Sequence, residues 1–261
     1  MSDQDLQKLA ELRAKIDMAD QSIHALLMQR AEVIDELIKA KGASRAQGAA
    51  FRPGREAQMM EVLRARHGGS IPFSTIVHMW REIISTFTWL QAPYAVHMPA
   101  DPDGRLTDTV RFQFGFTVQL ERHETIGAAM DAAAQDGNAI AVVPVQSNTE
   151  WWPTLGGDTG LHVMARLPVA PVPFETVDAL ALAPRLSDPV PFEWRAYVVT
   201  AGSRAVLDDW DGGVVIDQRL TESDGAVEAL IALAPGAKTP TDLLDIRAAG
   251  GYFAPLTDQS T

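Results

Sequence analysis

The longest run free of helix breakers constrains this chain more than any other feature. Between Gln4 and Lys41 the sequence contains neither glycine nor proline, and a helix of that length extends over more than about 50 Å. Its apolar side chains recur with the heptad spacing of a helix that packs lengthwise on another helix. They are Leu9, Leu12, Ile16, Ala19, Ile23, Leu26, Val33 and Leu37. We call this set the seam, and a helix this long needs partner helices or a second chain to cover it.

Two further helices are predicted before the sequence changes from helical to strand-like patterns. One covers 53–66, with Pro53 suited to its first turn, and the other covers 74–91 and is closed by Pro93. Beyond Pro93, strand-like runs cover 111–120, 138–145, 161–169, 177–183, 194–201 and 212–217, and helices are predicted over 123–137 and 224–234. Strands that alternate with short helices indicate an α/β layer. The sequence therefore predicts a multi-domain protein, with an all-α domain over 1–93 and an α/β domain over 94–261.

Charge and composition exclude several classes of function. Residues 1–92 carry 12 Lys and Arg against 11 Asp and Glu, a net charge of +1, whereas residues 93–261 carry 10 against 23, a net charge of −13. So acidic a second half argues against a nucleic-acid or anionic-membrane partner. The chain has no cysteine, which excludes a thiolate metal site or nucleophile. No segment resembles a signal peptide or a membrane span, so we expect a cytoplasmic protein.

Polar residues interrupt the apolar faces of the predicted helices. Arg30 occupies a seam position, and Lys41 lies three turns later on nearly the same face, whereas Arg13 points elsewhere. Gln91 continues the apolar stripe of the third helix. A buried guanidinium requires an anion, so a pocket for a di-anion is one interpretation. The other is structural, with Arg30 in an ion pair or extending to solvent and Gln91 as a polar helix end. The six histidines show no metal-ligand spacing, so no metal site is predicted.

Three segments carry a resemblance to a known family. The segments LAELRAKIDMADQSIHALLMQRAEVIDELIKAK, FRPGREAQMMEVL and WREIISTFTWLQ resemble the three helices of the all-helical (AroQ-class) chorismate mutases over residues 5–93. The resemblance implies an interlocked homodimer whose sites are shared between protomers. It also implies the cofactor-free Claisen rearrangement of chorismate to prephenate, in the biosynthesis of phenylalanine and tyrosine.

The resemblance assigns roles to three cations of the first helix. Arg13 resembles the arginine that reaches into the neighbouring protomer's site. Arg30 resembles the arginine that grips a substrate carboxylate within its own chain, and Lys41 the lysine that contacts the ether oxygen and a carboxylate. All three are expected to be catalytic residues.

The remaining site residues lie on the second and third helices. Arg55 and Glu56 match the Arg-Glu pair that opens the family's second helix, whose glutamate contacts the substrate hydroxyl or the ether oxygen. Gln91 matches the glutamine that binds the ether oxygen. Two substrate-binding positions depart from the pattern, because Phe87 replaces a small polar residue and Arg52 replaces an aspartate of some members.

The second half resembles part of prephenate dehydratase, the usual fusion partner of this mutase. The resemblance lies in ETIGAAMDAAAQDGNAIAVVPVQSNTEWWPTL, but Gln146 replaces a glutamate and Trp151 replaces a glycine of the dehydratase loop. The Thr-Arg-Phe motif is missing, with Trp194 standing where its threonine belongs. We therefore expect a degenerate, non-catalytic domain. It either stabilises the dimer or binds an effector such as an aromatic amino acid, with Trp151 and Trp152 lining a pocket or packing in a core.

Two alternatives to chorismate mutase stay open at this stage. The same cationic pocket suits an isochorismate-pyruvate lyase or an aminodeoxychorismate mutase, which Phe87 and Arg52 favour. A non-catalytic binding or regulatory protein that keeps the mutase fold is the other, although the complete set of costly cations argues against it.

Overall fold

A computed structural model describes residues 2–41, 51–157, 160–186, 191–221 and 225–257. The chain divides into two compact units, 1–47 and 48–261. The helices are α1 (Asp3–Lys41), α2 (Pro53–Arg66), α3 (Phe73–Gln91), α4 (Arg105–Phe114), α5 (Ile126–Gln135) and α6 (Ala205–Asp208). The strands are β1 (Ala95–Pro99), β2 (Gln119–His123), β3 (Ile140–Pro144), β4 (His162–Leu167), β5 (Ala179–Ala183), β6 (Trp194–Ala201), β7 (Gly213–Leu220), β8 (Val227–Leu233) and β9 (Leu243–Tyr252).

The first unit contains α1, which confirms the long helix predicted from the sequence. Its seam is exposed in the single chain, with the large seam side chains between 40% exposed at Leu9 and 64% exposed at Leu26. An apolar stripe of this length left in water forgoes the burial that ordinarily stabilises a helix. No described helix is long and apolar enough to cross a bilayer.

The second unit begins with α2 and α3, which confirm the two shorter predicted helices. Pro53 lies in the first turn of α2, where its missing N–H costs no hydrogen bond. Met60 and Leu63 of α2 pack with Val77 and Ile84 of α3, and Phe112 of α4 joins the same core. The helices α2 and α3 therefore share buried apolar surface with the α/β layer.

The described strands form one nine-stranded sheet in the order β2-β1-β3-β5-β4-β9-β6-β8-β7. The strands β2, β1 and β3 run parallel at one end, and most other neighbours are antiparallel. The helix α4 covers one face of the parallel end, where it packs on Val96 and Met98. The helix α5 covers the opposite face, where Ala141 and Val143 lie. Because side chains alternate along a strand, His97 faces the α5 side.

Two predicted elements are wrong. In both cases the apolar pattern is compatible with the spacing of a helix and with that of a strand. Residues 111–114 are the end of α4 and not part of a strand, because Leu106, Val110 and Phe114 recur at helical spacing and Gly115 ends the helix with a φ of 69°. Residues 227–233 form β8 and not a helix. That strand lies between β6 and β7 and is buried on both faces, so its apolar run 229–233 has no period of two.

Candidate functional site

The predicted mutase residues are divided between the two compact units. Arg13 is exposed and Arg30 half-buried on α1, and Lys41 is the last residue of α1, with a side chain outside the described part. The other predicted residues belong to the second unit. Arg52 and Arg55 are exposed at the start of α2, and the remaining three, listed with their burial, are Glu56 (half-buried), Phe87 (buried) and Gln91 (half-buried).

Within the second unit, Glu56 of α2 and Gln91 of α3 form hydrogen bonds with different partners. Gln91 Nε2 donates a hydrogen bond of 3.0 Å to the Phe87 carbonyl oxygen, one turn back in α3. Glu56 accepts a hydrogen bond from Arg81, at 2.7 Å between Nη1 and Oε2. In the described contacts, then, Glu56 and Gln91 are anchored separately.

Arg81 is the residue of this region that the sequence analysis missed. Its side chain is 5% exposed and that of Glu56 is 16% exposed, so the ion pair is largely withdrawn from water. Arg81 Nε also donates to the Gln113 carbonyl oxygen at 3.0 Å, and Ser85 Oγ donates to the same oxygen at 3.2 Å. The signal was present in the sequence. Arg81 follows Val77 by one turn on the buried stripe of α3, the same anomaly that identified Arg30.

Tyr94 closes this polar cluster on the side of the sheet. Its ring meets Phe51 edge-on, with centroids 4.6 Å apart, and its hydroxyl lies near Ser85. Burial raises the pKa of Tyr94 well above its ordinary value, and the nearby Glu56 carboxylate raises it further. The tyrosine therefore stays neutral beside the ion pair.

A cavity of about 320 Å³ opens beside the Glu56–Arg81 pair. Its wall includes Arg64 of α2, Arg166 of β4 and the segment 253–257. Both arginines are paired, Arg64 with Glu61 at 2.6 Å and Arg166 with Asp178 at 2.7 Å. Arginine and glutamate side chains set in a partly apolar wall suit a small molecule that carries both charged and apolar groups.

The tryptophan pair at the end of the loop that resembles the dehydratase is packed into the core. Trp151 is 5% exposed and Trp152 fully buried, in the cluster that includes α5 and the centre of the sheet. Trp152 Nε1 donates to Asp217 at 2.8 Å, and Arg219 binds Glu150 at 2.7 Å. Of the two interpretations offered for the tryptophan pair, the structure favours packing.

The histidines are less scattered than their spacing indicates. His97 and His123 lie on the parallel strands β1 and β2, and His97 Nδ1 is 2.9 Å from His123 Nε2. Glu121 lies beside them, with Oε2 at 3.6 Å from the same His97 nitrogen. Burial lowers the pKa of His97, and the Glu121 carboxylate opposes that effect. The parallel pairing of β1 and β2 brings together two histidines that are 26 residues apart in the sequence, which no local spacing encodes.

Comparisons with known proteins find a family model and relatives that match part of the chain. Residues 12–92 match the family model of chorismate mutase type II. A bifunctional chorismate mutase/prephenate dehydratase of Pseudomonas aeruginosa PAO1 is 28% identical over 154 residues, which are 58% of this chain and 41% of that enzyme. A bifunctional chorismate mutase/prephenate dehydratase of Aquifex aeolicus VF5 is 30% identical over 150 residues, 56% of this chain and 41% of that enzyme. The matched region thus spans about two fifths of these relatives.

One solved structure also resembles the chain. It is titled "GqqA- a novel type of quorum quenching acylases", with a TM-score of 0.44, 11% identity, and coverage of 60% of this chain and 93% of that one. A likeness of this extent indicates neither fold nor function.

Proposed function

We propose, on the premise that residues 12–92 form a chorismate mutase type II domain, that this chain rearranges chorismate to prephenate. The observation that carries the proposal is the range of residues that the family model matches. It includes α2, α3 and all but the start of α1, and it contains every residue of the predicted site. The two relatives are named for this activity together with a second one.

The reaction needs positioning and charge stabilisation and no covalent catalysis. Chorismate must adopt a compact conformation in which the ether C–O bond breaks as a C–C bond forms, which is a problem of orientation. We assign Arg13, Arg30 and Arg55 to the two substrate carboxylates, because guanidinium groups bind carboxylates with paired hydrogen bonds. Lys41 and Gln91 are assigned to the ether oxygen, where negative charge grows in the transition state.

The environment of Glu56 supports a role for it as an oriented acceptor. Arg81 engages Oε2, so we assign the other carboxylate oxygen, Oε1, to the substrate hydroxyl. Because Arg81 is itself held by the Gln113 carbonyl oxygen, the carboxylate has little freedom to rotate. Preorganisation of this kind removes the cost of orienting the group during the reaction.

The exposed seam of α1 supports the homodimer. A second copy of the chain that packs along the seam would bury side chains that the single chain leaves 40–64% exposed. We propose that this dimer is the active form and that Arg13 serves the site of the partner protomer.

The α/β layer is proposed to lack dehydratase activity, although the bifunctional relatives are named for that activity. Gln146 in place of a glutamate and the bulky, buried Trp151 in place of a glycine support this. We propose that an aromatic amino acid binds this layer as an effector. The cavity beside Arg166 suits its carboxylate and ring.

Turnover of chorismate by the purified chain tests the mutase proposal. Loss of chorismate is followed by absorbance, and acid then converts prephenate to phenylpyruvate. We expect Arg30→Ala and Lys41→Ala to abolish turnover while the dimer persists, and Arg204→Ala, at an exposed arginine of the α/β layer, to leave turnover unchanged.

Three other outcomes would redirect the proposal. Pyruvate release from isochorismate, with chorismate untouched, would indicate a lyase. Turnover of aminodeoxychorismate alone would indicate the corresponding mutase. Either result would support a role for Phe87 and Arg52 in the choice of substrate. Turnover of none of these substrates would favour a non-catalytic binding protein. Phenylpyruvate formed from prephenate at neutral pH would refute the assignment of a non-catalytic α/β layer.

A further inference from the structure

Three metal-ligand side chains meet on one face of the sheet. His97 and Glu121 are directly paired in the parallel register of β1 and β2, and His123 follows Glu121 by two residues. Residues two apart on a strand, and residues paired across strands, project from the same face. His97, Glu121 and His123 are therefore brought together by backbone pairing. In the described part of the chain they are the one group of this kind.

The distances fit a tetrahedral ion with little movement. One candidate ligand atom from each residue lies within 4.8 Å of the others. Zinc–nitrogen bonds of about 2.0–2.1 Å place two ligands of a tetrahedral ion about 3.3 Å apart. The observed separations from His97 Nδ1 are 2.9 Å to His123 Nε2 and 3.6 Å to Glu121 Oε2, on either side of that value. The 2.9 Å contact is a hydrogen bond between the two imidazoles. If an ion replaced the proton of this hydrogen bond, the two nitrogens would need to move apart by only a few tenths of an ångström.

Burial of the three side chains differs in a way that leaves one side of the site open. The His97 side chain is 7% exposed, so the surrounding core fixes its ring, whereas the Glu121 side chain is 41% exposed and His123 is half-buried. An ion bound here would have protein ligands on the inner side and solvent on the outer side. Two imidazoles and one carboxylate, with a fourth position left for water, form a ligand set that zinc uses in proteins.

We propose that His97, Glu121 and His123 bind a divalent transition-metal ion, Zn²⁺ in the first place, with its fourth position open to water or a small ligand. The site lies on the α/β layer and is independent of the proposed mutase chemistry. It differs from the sequence-based prediction that the histidines offer no metal site, and that prediction is tested by the same experiment.

Metal titration of the tag-free chain tests the proposal. The chain is stripped with EDTA, freed of the chelator and titrated with Co²⁺, whose visible absorption reports tetrahedral coordination. Zn²⁺ binding is then measured by calorimetry. We expect one equivalent of each ion, with Zn²⁺ displacing Co²⁺. Both His123→Gln and Glu121→Gln are expected to weaken binding by more than about tenfold, the smallest effect usual for losing even a supporting partner of a ligand.

The control variant is His24→Gln, at an exposed histidine of α1, and it is expected to bind Zn²⁺ as the unchanged chain does. Near-UV circular dichroism checks that each variant keeps its fold. Should His123→Gln disturb the fold, Glu121→Gln decides the question, because it keeps the shape of a partly exposed side chain. Absence of tetrahedral Co²⁺ bands, or Zn²⁺ binding as tight in the folded ligand variants as in the unchanged chain, would overturn the proposal.

Discussion

Arg81→Met tests whether the buried ion pair of α2 and α3 holds this part of the molecule together. The substitution keeps an unbranched apolar stem but leaves the Glu56 carboxylate, 16% exposed, without its cation. Removing one partner of a buried ion pair costs about 3–5 kcal/mol. The Gln113 carbonyl oxygen keeps its hydrogen bond from Ser85, so the loss falls mainly on Glu56. We therefore expect the free energy of unfolding to fall by about 3 kcal/mol, the lower end of that range.

The chain offers a matched control of nearly equal geometry. Arg64 and Glu61 are 2.6 Å apart, against 2.7 Å for Arg81 and Glu56, but their side chains are 31% and 52% exposed. An exposed pair contributes only about 0–1 kcal/mol, so Arg64→Met is expected to change stability by less than 1 kcal/mol. Distance alone would predict equal effects, whereas burial predicts the difference.

Urea unfolding of a double-mutant cycle supplies the measurement. Glu56→Gln introduced into Arg81→Met removes the uncompensated charge, so the double variant is expected to be more stable than Arg81→Met alone. Equal destabilisation by Arg81→Met and Arg64→Met would refute the argument. So would additive effects of the Glu56 and Arg81 substitutions, since additive sites do not interact.

Three further predictions concern the tyrosine, the seam and a glycine turn. The raised pKa of Tyr94 means that its contribution to stability is present below the ordinary tyrosine value of 10.0 and is lost as the pH rises further. The unfolding free energy of the unchanged chain should therefore fall more steeply above pH 10 than that of Tyr94→Phe, and parallel curves would contradict this. Leu26→Lys on the seam is expected to halve the mass measured by light scattering, whereas Met28→Lys, 53% exposed but off the seam, should not; equal masses would exclude the seam as the interface. Gly115→Ala should destabilise the chain by about 1–3 kcal/mol more than Gly104→Ala, because Gly115, with φ 69° and ψ −164°, lies in a backbone region that is essentially limited to glycine, whereas Gly104 lies in the left-handed helical region; equal melting temperatures would argue against that difference in strain.

Local signals in the sequence were sufficient to predict the limits of the first three helices. Pro53 and Pro93 and the missing breakers between Gln4 and Lys41 mark their limits, and the observed helices begin and end within one residue of the predicted positions. The same signals failed at β8, where a strand buried on both faces lacks the alternation that distinguishes strand from helix. Burial in the middle of a sheet is decided by distant segments and cannot be read from seven residues.

The residues of the candidate sites also differ in whether the sequence alone could have predicted them. Arg81 was predictable, because an arginine on the buried stripe of a helix is a local anomaly. The cluster of His97 with His123 was not, because it depends on the parallel register of two strands, and a shift of one residue would turn each side chain to the other face. The positions of Arg13, Arg30 and Lys41 relative to the second unit stay a prediction.

The contacts of α3 indicate that a non-catalytic α/β layer would still matter for the proposed reaction. Arg81 reaches Glu56 with one nitrogen and the carbonyl oxygen of Gln113, at the end of α4, with another. Glu82, the next residue of α3, accepts the Phe116 backbone N–H at 3.0 Å just beyond α4. The face of α3 that orients Glu56 is thus fixed to the layer at two points, and Phe112 packs in the core shared with α2. Any ligand or substitution that shifts the end of α4 must move Arg81 or break its hydrogen bond, so its effect reaches Glu56 through a chain of direct contacts.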